Sequence, residues 1–175
     1  METFVKRGIS GFIIAGSYNS NLNSYYKTLV EKEFPFVMLD ISLANLKVDT
    51  VCTDNIKGGY LATKSLIQKG CKKIVFISAF LSASTSKERL IGYKSALEEN
   101  NISVEKSLIK HGDFSEEFAY RTVKKLLSSG KKIDGIFSAN EPLVIGAIKA
   151  IEDSGYSIPK DIKIVAFDEP DYDFK

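Results

Sequence analysis

The chain reads as an α/β protein with parallel, doubly wound sheets, and three observations predict it. Short apolar runs alternate along the 175 residues with longer segments in which apolar side chains recur at helical spacing. The short runs are rich in β-branched residues and nearly continuous in hydrophobicity, which is the pattern of parallel strands covered on both faces. Residues that start and stop helices (Asp54, Gly70, Pro142, Gly155) stand at the joints between the two kinds of segment. Right-handed crossovers then wind such units into an open sheet.

Taken in order, Ile9 to Ala15 is predicted as a strand, Leu22 to Glu33 as a helix, and Phe36 to Asp40 as a strand ending in a carboxylate. Thr50 to Asp54 is extended and Asn55 to Lys69 helical. Asp54 or Asn55 can cap that helix, because a short side-chain acceptor satisfies amides left unpaired in the first turn. Leu61, Leu66 and Ile67 carry its apolar period until Gly70 stops it. Gly58 and Gly59 inside it cost about 1 kcal/mol each relative to alanine, so they point to a close approach of backbone or ligand. Lys73 to Ser78 is the clearest buried strand and Ser86 to Asn100 the clearest amphipathic helix. A short strand Ser107 to Lys110, a helix Ser115 to Ser129 and a strand Gly135 to Ala139 follow. Pro142 suits the first turn of a helix reaching Ser154, Gly155 ends it, and Ile162 to Phe167 forms the last strand.

Composition narrows the function classes. Hydrophobic residues at 44% and charged residues at 26% suit a soluble globular domain. A net charge of +2 is too small to argue for nucleic acid or a membrane surface, and the pairs Lys72-Lys73, Lys124-Lys125 and Lys131-Lys132 read as solvated faces. Cys52 and Cys71 have neither metal-ligand nor disulfide-framework spacing; a reducing compartment and buried packing fit them. No apolar run approaches the roughly 20 residues that span a bilayer, and Met1 to Arg7 lacks the order of a signal peptide. The expected location is therefore the cytoplasm, with no membrane partner.

In doubly wound sheets, ligands sit beyond the carboxyl ends of the strands. That singles out Ser17, Asp40, Ser78 to Thr85, His111 to Phe114, Asn140-Glu141 and Asp168-Glu169. No catalytic constellation is among them. His111 is the only histidine and reads as structural, and neither a nucleophile elbow, a zinc-protease helix, a dinucleotide fingerprint nor a phosphate loop is present. The expectation is a non-enzyme without cofactor or metal. What remains suits a polar, weakly charged ligand: carboxylate acceptors on Asp40 and Asp168, a forked donor on Arg89, both donor and acceptor on Asn140, and a flat apolar face on Phe114. Each has a plainer alternative. Asp40, Asn140 and Asp168 could cap helices or turns, Arg89 could pair with Glu88 or Glu98 on the surface, and Phe114 could pack the core.

The order of the joints adds a resemblance. Asp54-Asn55 with Gly58-Gly59-Tyr60-Leu61-Ala62-Thr63, then Gly70 and Lys72 to Ser78, resemble a block of the LacI/GalR family of bacterial repressors. Glu88-Arg89-Leu90-Ile91-Gly92-Tyr93 looks like that family's E-R-x-x-G-aromatic helix, and Gly112-Asp113-Phe114-Ser115 is similar to its G-D-F-S turn. Asp134 to Asn140, continuing to Gly146-Ala147, resembles a further family joint. So does Ile158-Pro159-Lys160-Asp161-Ile162 leading into Val165-Ala166-Phe167-Asp168. None is specific alone; in this order they cover nearly the whole chain.

The resemblance implies a periplasmic-binding-protein-like fold of type I with the effector in a cleft between two subdomains. Residues 1–54 would be an incomplete N-terminal subdomain and residues 55–175 a C-terminal one lacking its last elements. Effector contacts would fall on Asp40, Thr85, Arg89, Phe114, Asn140 and Asp168; Ser17 and Tyr18 match no motif. Glu141 and Glu169 stand where the family has Asp, and Ala79-Phe80-Leu81 replace a Gly-rich turn. Family members are about twice this length by the logic of one DNA-binding unit plus two subdomains, so a fragment without its helix-turn-helix is expected. The implied function is the effector-sensing core of a transcriptional regulator. It would bind a sugar or similar small metabolite, form a homodimer, and reach operator DNA only through the absent head. The alternative is an extracytoplasmic sugar-binding subunit of an ABC transporter.

Overall fold

The computed structural model describes residues 8–15, 23–43 and 46–169. Ser17, Tyr18 and Leu22, named above, lie outside the described residues. The chain divides into two compact units, residues 1–53 and 54–175.

In the first unit, β1 (Phe12–Ala15), α1 (Asn23–Glu31), β2 (Phe36–Leu39) and β3 (Thr50–Val51) form a parallel sheet in the order β1-β2-β3. Phe12 pairs with Phe36 and Met38 with Thr50, which sets the register. Tyr26, Leu29, Met38 and Ile41 are buried, whereas Ile13 is 76% and Val51 64% exposed.

In the second unit, α2 (Asn55–Gln68), β4 (Ile74–Ser78), α3 (Ser84–Glu99), β5 (Ile109–His111), α4 (Glu116–Ser128), β6 (Gly135–Ser138), α5 (Glu141–Glu152) and β7 (Lys163–Ala166) follow in turn. The sheet is parallel throughout, in the order β5-β4-β6-β7. Every residue of β4 and β6 is buried, as their unbroken hydrophobicity predicts. Successive side chains of a strand face opposite sides. Accordingly Ile74 and Phe76 pack with Leu66 of α2 and with Tyr93 and Leu97 of α3. Val75 and Ile77 pack with Val123 and Leu127 of α4 and with Leu143 and Ile151 of α5. The sheet is therefore wound on both faces, with α2 and α3 on one and α4 and α5 on the other.

The helix termini follow the sequence signals. Asp54 caps α2 by accepting from the Lys57 amide at 3.0 Å, and Ser115 caps α4 by accepting from the Phe118 amide at 3.1 Å. Gly70 follows α2 in the left-handed region at φ +88°. The tandem glycines have the predicted use. A Cβ on Gly59 would lie 2.4 Å from the Arg89 carbonyl oxygen, and one on Gly92 would lie 2.1 Å from that of Ile56. So α2 and α3 cross in backbone contact.

Three expectations need correction. The buried face of α3 is Thr85, Ser86, Arg89, Gly92, Tyr93, Ala96 and Leu97, while Ile91 faces outward; it is α4 that separates apolar from charged faces cleanly. Residues 106–108 form a 3-10 turn, and β5 starts only at Ile109. Cys71 is buried, its thiol donating to the Asp134 carbonyl at 3.2 Å, but Cys52 is exposed.

Candidate functional site

The chain leaves β4 toward one face of the sheet and β6 toward the other, so the two adjacent strands mark the topological switch point, where a crevice opens at the carboxyl ends. The loops there are tied to one another by polar groups. The Ser78 hydroxyl donates to the Ala79 carbonyl at 3.1 Å and the Ser138 hydroxyl to the Asn140 carbonyl at 3.0 Å. Asn140, 6% exposed, accepts from the Ala79 amide at 3.2 Å through its side-chain oxygen and makes no capping bond to α5. It stands at the N-cap position of α5 without a side-chain capping bond, and its carboxamide instead latches the loop after β4 to the loop after β6.

Arg89 is the centre of the arrangement. It is 5% exposed although it carries a full charge. Its Nε donates to Asn55 Oδ1 at 2.9 Å and its Nη1 donates to the Ala139 carbonyl. Nη1 also stands 3.7 Å from Asp168 Oδ2, and the guanidinium carbon lies 3.5 Å from the centroid of the Phe167 ring. A guanidinium stacked on an aromatic face and paired with acceptors offsets the cost of leaving water. The alternative of a surface pair with Glu88 or Glu98 does not fit an arginine that is 5% exposed, and the Glu88 carboxylate is engaged by Asn55, whose Nδ2 donates to Glu88 Oε2 at 3.0 Å.

The other predicted residues are placed as follows. The Asp168 side chain is 54% exposed at the carboxyl end of β7, opening the Arg89 pair to solvent. Thr85 is buried in the first turn of α3. Phe114 is 52% exposed beyond β5, in a turn whose Gly112 amide donates to the Ser78 carbonyl at 3.2 Å; it does not pack in the core. Asp40 belongs to the first unit, directly after β2, with a φ of +65° and an amide donating to the Val51 carbonyl at 2.9 Å. Aspartate tolerates that left-handed conformation better than most residues.

Sequence reasoning missed Asn55 as the partner of Arg89 and Phe167 as its platform. Asn55 had a sufficient local reading as a possible cap, and its bond to Arg89 spans 34 residues. The usable signal was the glycine pattern, since Gly59 and Gly92 bring the start of α2 against α3.

A cleft of about 510 Å³ lies elsewhere, at the amino ends of β4 and β6, lined by Lys73, Leu127, Lys131, Lys132, Asp134 and Tyr156. Its one carboxylate is already occupied, Asp134 accepting from the Lys72 and Lys73 amides at 2.8 Å each. The convergent buried polar groups are at the carboxyl end, and ligand chemistry follows them rather than volume. Among the described residues, no group of three His, Cys, Asp or Glu could hold a metal, and no helix is long and apolar enough to cross a membrane.

A family profile described as a periplasmic binding protein domain matches residues 1–171. Across 96% of this chain, 31% of residues are identical to those of the HTH-type transcriptional repressor PurR of Actinobacillus pleuropneumoniae serotype 3, the match taking in 49% of that repressor. Among solved structures, transcription regulator CcpA of Lactococcus lactis superposes with a TM-score of 0.82 at 27% identity, covering 94% of this chain and 59% of that one. The complex of the transcriptional regulator CelR with cellobiose superposes with a TM-score of 0.84 at 25% identity, covering 94% and 50%. The chain spans about half the length of the curated relatives it matches.

Proposed function

Because the chain belongs to the periplasmic binding protein domain family, in its LacI/GalR repressor branch, we propose that it is the effector-sensing core of a transcriptional regulator. The observation that carries the proposal is the buried, stacked Arg89 at the switch point, with Asp168 open to solvent beside it. A forked donor next to a carboxylate acceptor matches adjacent hydroxyls, which both donate and accept, and Phe114 offers a flat apolar face to C–H groups. The effector is a sugar or similar small metabolite. Its contacts are Arg89, Asn140, Asp168, Thr85 and Phe114, and residues 1–53, which carry Asp40, are the N-terminal effector subdomain. Residues 54–175 are the C-terminal one. The protein acts in the cytoplasm, as a homodimer and not as an enzyme. Effector binding shifts a two-state equilibrium, and operator affinity with it, through a DNA-binding unit elsewhere in the longer protein; a coupling of about 1–3 kcal/mol gives a 5- to 150-fold change.

Calorimetric titration of the chain with a panel of mono- and disaccharides, cellobiose included, and with nucleobases tests this reading. At least one compound binds saturably, and Arg89→Ala weakens it by about 10- to 100-fold, the loss of a charge-assisted hydrogen bond. Unchanged affinity in that variant would remove Arg89 from the site.

A further inference from the structure

We propose that Asn55 and Glu88 are positioning residues for Arg89: they fix which way its guanidinium faces and tie it to the start of the second unit. The inference rests on the reading that Arg89 contacts the effector. A guanidinium carries its five N–H donors in one rigid plane, so fixing Nε fixes the whole fork. Nε donates to Asn55 Oδ1 at 2.9 Å, which leaves Nη1 directed at the Ala139 carbonyl and Asp168.

Only the oxygen end of the Asn55 carboxamide can accept from Arg89; with the amide reversed, two donors would face each other. Glu88 decides between the two. An ionised carboxylate only accepts, and its Oε2 takes the Asn55 Nδ2 donor at 3.0 Å, so the amide oxygen is turned toward Arg89. Polarity therefore runs in one direction along the chain Glu88–Asn55–Arg89. Asn55 is 1% and Arg89 5% exposed, so bulk water does not stand in for a misplaced partner.

The position of Asn55 gives the chain a second consequence. It is the first residue of α2, directly after the Asp54 cap and two residues beyond Thr53, where the units divide. The backbone contact at Gly59 and Gly92 leaves α2 no slack relative to α3. A ligand that pulls on Arg89 is thus felt where the chain enters the second unit.

The test uses the ¹⁵N-labelled 175-residue chain, with exchange of the Arg89 Nε proton as a ligand-independent readout and cellobiose as the binding probe. Asn55→Ala speeds that exchange by about tenfold or more, the equivalent of one lost hydrogen bond. Glu88→Lys, which can only donate, turns the Asn55 oxygen away from Arg89 and speeds exchange too, while adding Asn55→Asp restores slow exchange because a carboxylate accepts from both neighbours. Neither Glu88→Lys nor Asn55→Asp opens a cavity, so the result does not depend on the fold tolerating one, and a merely structural role would show no such rescue. Unchanged exchange in Asn55→Ala, or a double variant no slower than Glu88→Lys alone, overturns the proposal. Cellobiose affinity following the same pattern supports it. If cellobiose fails to bind the unaltered chain while the exchange pattern holds, the positioning stands and the sugar reading loses that ligand.

Discussion

Single side chains in this protein do their work by pairing across long sequence separations in dry surroundings. Tyr93 shows the energetic side of this. Its ring is fully buried between Phe76 and the helix layer, and its hydroxyl donates to the Ile74 carbonyl at 2.8 Å. Burial pushes the phenol well above its ordinary value, with the Glu105 charge adding to the shift. The unfolded chain loses that proton at about pH 10, whereas the folded chain keeps it. Stability from this group is complete below about pH 10 and declines as pH rises beyond it. Cys71, pushed up first by burial and then by the Asp134 charge, acts with the same sign from about pH 8.5 upward. Melting temperature measured from pH 7 to 11 should fall on the alkaline side, and less steeply in Tyr93→Phe. At neutral pH that variant should be about 1–3 kcal/mol less stable, because the Ile74 carbonyl loses a buried partner. A variant with an unchanged alkaline slope would show that other groups set it. None of this was legible in the sequence, where Tyr93 was simply part of a helical motif.

At the scale of elements, two helix pairs are held by similar devices. Tyr60 of α2 donates to Glu99 of α3 at 2.5 Å while accepting from Lys64 at 2.7 Å. Tyr120 of α4 donates to Asp153, just beyond α5, at 2.9 Å while accepting from Lys124 at 3.0 Å. Beneath these exposed clasps, glycine sets the spacing. A Cβ on Gly92 meets the backbone of α2, at 2.1 Å from the Ile56 carbonyl oxygen and 2.5 Å from the Tyr60 nitrogen. On Gly58 its nearest neighbours are atoms of the Phe167 ring, the first at 2.4 Å, and a ring end can turn away. Gly92→Ala should therefore cost about 3 kcal/mol or more, since overpacking here cannot be relieved by side-chain motion. Gly58→Ala should cost less in stability and act on the candidate site, by tilting the surface on which Arg89 stacks. Chemical denaturation of the two variants checks the order. Equal losses would mean that the helix crossing yields more readily than its backbone contact implies. The strands and helices were largely legible because each carries its own period and its own caps. The face that α3 buries was not, because it carries the polar Thr85 and Ser86 and an Arg89 that is buried for its partners and not for hydrophobicity.

For the whole molecule, the alternation of short apolar runs and amphipathic segments revealed the parallel, doubly wound architecture, and strand order then selected the carboxyl ends as the place for chemistry. Asn140 and Asp168 could be named from their positions at strand ends, and Arg89 from its forked donor and the helical motif that carries it. Asn55 and Phe167 could not, because their roles exist only once α2, α3 and β7 have packed. The same packing separates the two units energetically. Residues 54–175 bury strands β4 and β6 completely between two helix layers. The first unit buries Tyr26, Leu29, Met38 and Ile41 and leaves Ile13 and Val51 exposed on its sheet. Buried apolar area contributes about 25 cal/mol per Å², so local stability follows that difference. Native-state hydrogen exchange should find amides of β4 and β6 protected near the global limit, while those of β1 and β2 exchange through a lower-energy opening. The apolar residues exposed on the first sheet should also drive association at high concentration, reduced by Ile13→Lys on the strand it leaves uncovered. Uniform protection across both units would contradict this ordering and require the first unit to gain stability from surface that its own residues do not bury.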